Sequence, residues 1–167
     1  DPKVWREDGI WKMVLGARTR SDQGCVLVYH SQDLLRWTFA SRCTIPNFGY
    51  MWECPDFFRM GEQGYLSVSP QGLTHEEYRY QNVYQSGYFS VAGTLEEGKL
   101  GRFSEWDYGF DFYAPQTYET ADGRRILYGW MGIPDADYQN PTTPLGWQHC
   151  LTLPREVWAG EEGTLLQ

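Results

Sequence analysis

The chain has 167 residues, of which 17% are aromatic, and its formal net charge at pH 7 is −8. This is an ordinary length for one domain with a hydrophobic core. The acidic balance, with no cluster of Lys and Arg, excludes binding to nucleic acid through its phosphates. No apolar run approaches the roughly 20 residues that span a bilayer, so no membrane segment or membrane partner is predicted.

Short strands dominate the predicted secondary structure. In chain order, the β-branched and aromatic runs cover residues 10–17, 25–30, 57–60, 65–68, 82–92, 116–118 and 126–131. Turn residues separate these runs, as in Ser21-Asp22-Gln23-Gly24. Residues 31–37 could form one or two turns of helix with Ser31 as the N-cap. The pattern predicts an all-β array of short strands.

Three segments share one plan, in which a proline is followed by two residues and then an aromatic. Pro2, Pro55 and Pro115 begin them, at intervals of 53 and 60 residues. A period of this size is typical of a β-propeller, whose ring contains 4–8 blades of four antiparallel strands. The repeats divide the chain into units of about residues 1–50, 51–110 and 111–167. Three units do not close a ring, and the chain begins at Asp1 without Met, so we expect part of a longer protein.

Radial repeats place equivalent positions around one axis, so the residues before each proline are expected to converge. They are Asp1, directly before Pro2, Glu53, two residues before Pro55, and the Phe112-Tyr113 pair shortly before Pro115. Glu53 lies among aromatic residues, as expected of a general acid that protonates a leaving-group oxygen; a strand-end Glu paired with Arg is the alternative. Asp1 could stabilise a positively charged transition state at a sugar, or could be a solvated terminal residue.

Further candidates for a sugar site are polar or aromatic residues near the starts of the repeats. They are Tyr50, Asp111, Tyr113 and Trp130, and for the aromatic ones core packing is the alternative. Asp56 is expected in a turn or an ion pair. The four cysteines lack zinc-finger spacing, so we predict reduced thiols, a cytoplasmic protein, and no metal or other cofactor.

Residues 50–56, Tyr50-Met51-Trp52-Glu53-Cys54-Pro55-Asp56, resemble the Glu-Cys-Pro motif of glycoside hydrolase family 32, the β-fructofuranosidases. Asp1-Pro2 resembles the end of that family's Arg-Asp-Pro motif. Similar segments to those of the family also occur at residues 80–88, 111–117, 129–131 and 146–156. The resemblance is closest to the bacterial enzymes that hydrolyse sucrose 6-phosphate.

The resemblance implies a five-bladed propeller followed by a β-sandwich, a retaining mechanism and no metal. It implies that Glu53 is the acid/base, that Asp1 stabilises the transition state, and that Tyr113 and Trp130 line the fructose site beside Cys54. The family's nucleophile is an Asp in an Asn-Asp-Pro-Asn-Gly motif, which this chain lacks. The first blade and the sandwich are also absent, so we expect this chain alone to be inactive and to self-associate or pair with the missing parts.

The implied substrate is sucrose or sucrose 6-phosphate, and three alternatives remain open. The first is a carbohydrate-binding β module without chemistry. The second is a related five-bladed glycosidase that acts on fructan or arabinan. The third is a scaffold propeller, which the run from Trp52 to Asp56 disfavours.

Overall fold

A computed structural model describes all of residues 1–167 as three consecutive antiparallel sheets. The first sheet contains β1 (Lys3–Glu7), β2 (Ile10–Arg18), β3 (Gly24–Ser31) and β4 (Thr38–Cys43), paired in that order. The second contains β5 (Met51–Met60), β6 (Gln63–Gln71), β7 (Gly87–Val91) and β8 (Leu100–Glu105), again in order. Each of these sheets is an antiparallel meander, because every strand pairs with the next one along the chain.

The third sheet repeats this plan with its third strand broken in two. It contains β9 (Tyr113–Glu119), β10 (Arg125–Met131), β11 (Cys150–Leu151), β12 (Arg155–Ala159) and β13 (Leu165–Leu166). Both β11 and β12 pair with β10, while β9 pairs with β10 and β13 pairs with β12. Pro154 lies in the break and has no N–H to donate to a ladder.

The predicted all-β fold of three four-stranded units is confirmed, and the ring is not closed in this chain. Helix is limited to three 3₁₀ turns, at Leu95–Glu97, Thr143–Leu145 and Glu161–Gly163. No helix in the structure is long and apolar enough to cross a membrane.

The helix predicted at residues 31–37 is wrong. Ser31 ends β3, and bends follow it. Its Oγ accepts a hydrogen bond from the backbone N–H of Leu34 at 2.9 Å, and Asp33 Oδ1 accepts one from Arg36 N–H at 2.8 Å. The capping chemistry is therefore present, but its side chains satisfy the backbone of a turn instead of starting a helix. The strand predicted from residue 82 begins only at Gly87.

Two apolar clusters join the sheets face to face. The larger, between the first and second sheets, includes Trp52, Phe57 and Leu66. The smaller, between the second and third sheets, includes Phe58 and Tyr65. Neighbouring residues on one strand thus serve opposite clusters, because side chains alternate between the two faces of a sheet. The second sheet is accordingly covered on both faces, and β6 is buried from Gly64 to Pro70.

Candidate active site

The innermost strands β5 and β9 each contain a bulge immediately before their repeated proline. Cys54 has a φ of 47° and Ala114 a φ of 49°, both in the left-handed region that L-residues rarely adopt. The β5–β6 register shifts between Glu53 and Asp56. A bulge bends its strand and re-aims the adjacent side chain. The residues re-aimed here are Glu53 and Tyr113, which the repeat predicted to be equivalent.

The two bulges bring these side chains into contact. The hydroxyl of Tyr113 donates a hydrogen bond to Glu53 Oε2 at 2.8 Å, and Gln71 Nε2 donates one to the same hydroxyl oxygen at 3.3 Å. Tyr113 is 2% exposed. Burial chiefly raises the pKa of Tyr113; the hydrogen bond from Gln71 lowers it and the bond to Glu53 raises it. The net change is upward, so Tyr113 remains a neutral donor at ordinary pH. Glu53 is half-buried.

Asp1 lies against the same bulge. The thiol of Cys54 donates to Asp1 Oδ2 at 3.6 Å, so the Asp1 carboxylate contacts the residue that follows Glu53. Burial, and secondly the charge of Glu53, raise the pKa of Cys54, which favours the thiol over the thiolate. Gln116 Nε2 braces the bulge by donating to the Cys54 carbonyl at 3.0 Å.

A buried carboxylate, Asp56, joins all three innermost strands. Its Oδ1 lies 3.0 Å from Lys3 Nζ, while its Oδ2 accepts hydrogen bonds from the N–H and the hydroxyl of Thr117 at 2.7 and 2.6 Å. The side chain of Asp56 is fully buried. Lys3 also donates to the Thr117 carbonyl at 2.7 Å. The ion pair expected for Asp56 therefore exists, and it ties β1, β5 and β9 together below the candidate site.

Tyr84 forms a second layer behind Tyr113, with 6.1 Å between the ring centroids. Its hydroxyl donates to Asp135 Oδ2 at 2.7 Å and accepts from the Tyr50 hydroxyl at 3.3 Å. The guanidinium of Arg18 lies 4.7 Å from the Tyr50 ring centroid, which is a cation–π distance. Tyr50 therefore belongs to the wall of the site and contacts Glu53 only through other residues.

Asp111 and Trp130 lie on the third-sheet side of the site. Tyr138 donates a hydrogen bond to Asp111 Oδ1, and this bond to a carboxylate raises the pKa of Tyr138 to about 12. Trp130 is the ladder partner of Tyr113 and packs edge-on against His149, with centroids 5.0 Å apart. Asp111 thus anchors the loop after β10, and Trp130 borders the residue that contacts Glu53.

The structure joins Glu53 directly to Tyr113, and to Asp1 through Cys54. Trp130 pairs with Tyr113, and Tyr50 is linked to it through Tyr84. Asp111 is bonded to Tyr138 and Asn82 instead. Sequence reasoning missed Tyr84 and Asp135. Tyr84 lies in a segment already noted for its pattern, residues 80–88, but nothing in the sequence pairs it with Asp135. All four cysteines are free, and no group of three or more His, Cys, Asp or Glu side chains could hold a metal ion.

Comparison with known proteins gives consistent matches. The model for the glycosyl hydrolases family 32 N-terminal domain matches residues 1–167. The sucrose-6-phosphate hydrolase of Bacillus subtilis (strain 168) is 49% identical over 94% of this chain and 35% of its own length. The solved sucrose-6-phosphate hydrolase of Lactobacillus gasseri matches with a TM-score of 0.87 and 30% identity, covering 99% of this chain and 35% of that one.

A third match is a variant of the Bombyx mori GH32 β-fructofuranosidase solved in complex with sucrose. Its TM-score is 0.84 at 39% identity, covering 94% of this chain and 34% of that one. These matches confirm that the three sheets are blades of a five-bladed propeller. The chain spans about a third of the length of the relatives it matches.

Proposed function

This chain belongs to glycosyl hydrolase family 32, and we propose that it supplies the general acid and part of the fructose site of an enzyme that hydrolyses sucrose or sucrose 6-phosphate. The observation that carries the proposal is the contact of the Tyr113 hydroxyl with Glu53 Oε2 at 2.8 Å. Matching bulges on adjacent repeats aim both side chains at the end of the strands where Asp1 also lies.

In the proposed reaction, Glu53 protonates the oxygen between fructose and glucose as that bond breaks. The same residue, then ionised, removes a proton from the water that releases fructose, as the acid/base of a retaining glycosidase does. Tyr113 holds one carboxylate oxygen through its hydroxyl. The other oxygen of Glu53 makes no hydrogen bond within the chain and is the one we assign to the substrate.

Asp1 is proposed to stabilise positive charge on the fructosyl ring in the transition state, or to bind its hydroxyl groups. Cys54, Tyr113 and Trp130 are proposed to line the fructose site, because Cys54 follows Glu53, Tyr113 contacts its carboxylate, and Trp130 pairs with Tyr113 in the sheet. Tyr50 and Asp111 are proposed to hold the surrounding wall, which the bond of Tyr50 to Tyr84 and the bond of Asp111 to Tyr138 support.

The activity is proposed for the complete gene product. A retaining mechanism needs a carboxylate nucleophile about 5–5.5 Å from the acid, and residues 1–167 contain no Asn-Asp-Pro-Asn-Gly motif that would supply the family's nucleophile. We therefore assign residues 1–167 to one partial propeller domain, with blades at about 1–50, 51–110 and 111–167, that does not hydrolyse sucrose alone. Its open sheet faces are proposed to pair with further blades or with a second copy.

The proposed location is the bacterial cytoplasm, with no nucleic acid or membrane partner. Four free thiols suit a reducing compartment, and the relatives include a bacterial sucrose-6-phosphate hydrolase.

The decisive experiment compares Glu53→Gln with the unchanged complete gene product on two substrates. One is sucrose, with glucose release as the readout, and sucrose 6-phosphate is assayed in parallel. The other is an aryl β-fructofuranoside whose leaving group needs no protonation. We expect a loss on the order of 10²–10⁴-fold in kcat on sucrose and a much smaller loss on the aryl substrate.

Glu62→Gln is the matched control, since Glu62 is exposed at the opposite end of β5. It should leave both rates unchanged. Equal losses on both substrates from Glu53→Gln would refute the general-acid assignment. A complete gene product that binds sucrose and releases no sugar would instead support a carbohydrate-binding module.

A further inference from the structure

Gly16 lies inside β2, two residues before the strand ends. Its backbone conformation does not require glycine. It is not among the residues with positive φ, so any L-residue could adopt its backbone conformation. Glycine weakens a strand interior, because it contributes no packing and loses much freedom on folding. A glycine there often marks a position where another backbone approaches closely.

The backbone that approaches Gly16 is that of the residue preceding Glu53. A Cβ added at Gly16 would lie 2.1 Å from the carbonyl oxygen of Trp52 and 3.3 Å from Cα of Glu53. Real Cβ contacts essentially never fall below 3.0 Å. The obstacle is main chain, which cannot rotate aside as a side chain does. A methyl group at residue 16 would therefore displace β5 at the catalytic position.

The side chain of Trp52 cannot absorb this displacement easily. It is fully buried, and its Nε1 donates to the Phe48 carbonyl at 2.7 Å. On β3, a Cβ at Gly24 would lie 2.4 Å from Cδ1 of the same indole ring. Two glycines of the first sheet thus pack against Trp52. Gly16 lies against its main chain and Gly24 against its ring.

We propose that Gly16 is a positioning residue for catalysis, which sets the depth at which Glu53 projects into the site. The inference rests on the proposed role of Glu53 as general acid. Moving β5 by about 1 Å would shift the proton donor relative to the glycosidic oxygen, and a misplacement of this size can cost about 100-fold in rate. Gly24 supports the same geometry through the indole ring.

The test is Gly16→Ala in the complete gene product, with Gly64→Ala as the matched control. Gly64 is also an interior strand glycine without positive φ, but its added Cβ would meet only the Phe57 ring and the Val91 side chain, at 3.3–3.4 Å. For Gly16→Ala we expect kcat on sucrose to fall by on the order of 100-fold, and by only a few-fold on the aryl β-fructofuranoside. Gly64→Ala should affect both substrates equally.

A folded Gly16→Ala enzyme that loses nothing, or loses equally on both substrates, would overturn the inference. If this variant does not fold, Gly24→Ala gives the same comparison from the other side of Trp52, because its added Cβ would push on the indole ring, 2.4 Å from Cδ1, and not on the Trp52 carbonyl. A smaller loss confined to sucrose is then expected, and an equal loss on both substrates contradicts the proposal. Glu53→Gln separates the general-acid role of Glu53 from the positioning role of Gly16. If Glu53→Gln loses more activity on sucrose than on the aryl substrate and the glycine variants do not, only the positioning role of Gly16 is refuted.

Discussion

The strands β5 and β9 make the same backbone turn and present different chemistry. Each has a buried aromatic, then a residue aimed into the site, then a left-handed residue, then proline. In β5 this run is Trp52-Glu53-Cys54-Pro55, and in β9 it is Phe112-Tyr113-Ala114-Pro115. The repeat therefore specifies that the side chain two residues before the proline points into the site. The residue type at that position determines whether the side chain is a carboxylate, as in Glu53, or a phenol, as in Tyr113.

The two strands differ in what supports them. Trp52 packs on Gly16 and Gly24, which belong to the neighbouring sheet. Phe112 packs on Gly129 of β10, its own sheet, where an added Cβ would lie 2.2 Å from the ring. The closest support of Trp52 thus comes from the neighbouring first sheet, whereas that of Phe112 comes from its own β9–β10 hairpin. Phe112 also packs in the cluster between the second and third sheets.

Removing the two buried aromatics should expose this difference most strongly. We expect both Trp52→Ala and Phe112→Ala to destabilise the complete gene product by about 3–5 kcal/mol, as large core truncations do. The cost should be higher for Trp52, which also loses its hydrogen bond to Phe48. Denaturant unfolding measures it. Among molecules that stay folded, Trp52→Ala should lose more activity on sucrose, and the reverse order would contradict the difference in support.

A smaller effect is expected from Tyr113→Phe, which removes the contact between the two strands and keeps the ring. Loss of a hydrogen bond to a charged group costs about 1.5–3 kcal/mol, so kcat/KM on sucrose should fall by about 10- to 100-fold. Tyr84→Phe is a suitable control, because its hydroxyl contacts Asp135 and Tyr50 instead. An equal loss in that control would argue against a specific role for the Tyr113 hydroxyl.

The same Tyr113→Phe variant has a consequence for alkaline stability. Because the folded-state pKa of Tyr113 is raised, its neutral form contributes stability that is complete below about pH 10 and is lost as pH rises toward the folded pKa. The variant should therefore lose stability less steeply above pH 10 than the unchanged protein. Denaturant midpoints between pH 8 and 11.5 test this, and parallel curves would contradict the buried, neutral phenol.

The smallest effects concern the left-handed residues themselves. Cys54→Ala makes the two bulges alike and should change the free energy of unfolding by less than about 1 kcal/mol, since Ala114 already adopts that conformation. Ala114→Gly should stabilise by up to about 1 kcal/mol, because glycine avoids the left-handed penalty. Ala17→Gly, in an ordinary part of β2, should destabilise instead. Destabilisation by both glycine variants would show that the bulge at Ala114 is unstrained.

The sequence predicted the parts of the fold that local pattern specifies. Proline spacing located the three innermost strands, and the position two residues before Pro55 and Pro115 identified Glu53 and Tyr113. Prediction from sequence failed where the local residue pattern favours one structure and the packed sheets impose another. Ser31 and Asp33 carry capping chemistry that here closes a turn, and the apolar residues of 82–86 precede the strand without entering it.

The contacts of the site were less predictable, because they join residues far apart in the chain. Tyr84 and Asp135 are 51 residues apart, and no periodicity relates them. From the sequence alone, Gly16 is a residue that lowers the stability of a strand. The packed sheets show that the Trp52 carbonyl occupies the space that a side chain at residue 16 would need. Patterns along one strand thus indicate which residues face the axis, while their partners follow from sheet docking.

The Asp56 carboxylate also bears on the order in which the molecule assembles. Its partners Lys3 and Thr117 lie on the other two innermost strands, and Thr117 is 61 residues away in sequence. An unpaired carboxylate is costly to remove from water, so the second sheet cannot bury this end of β5 favourably until both neighbours have arrived. Contacts of such long range form slowly. The centre of the ring should therefore close late in folding, after the individual hairpins, and the catalytic geometry should appear in the same step.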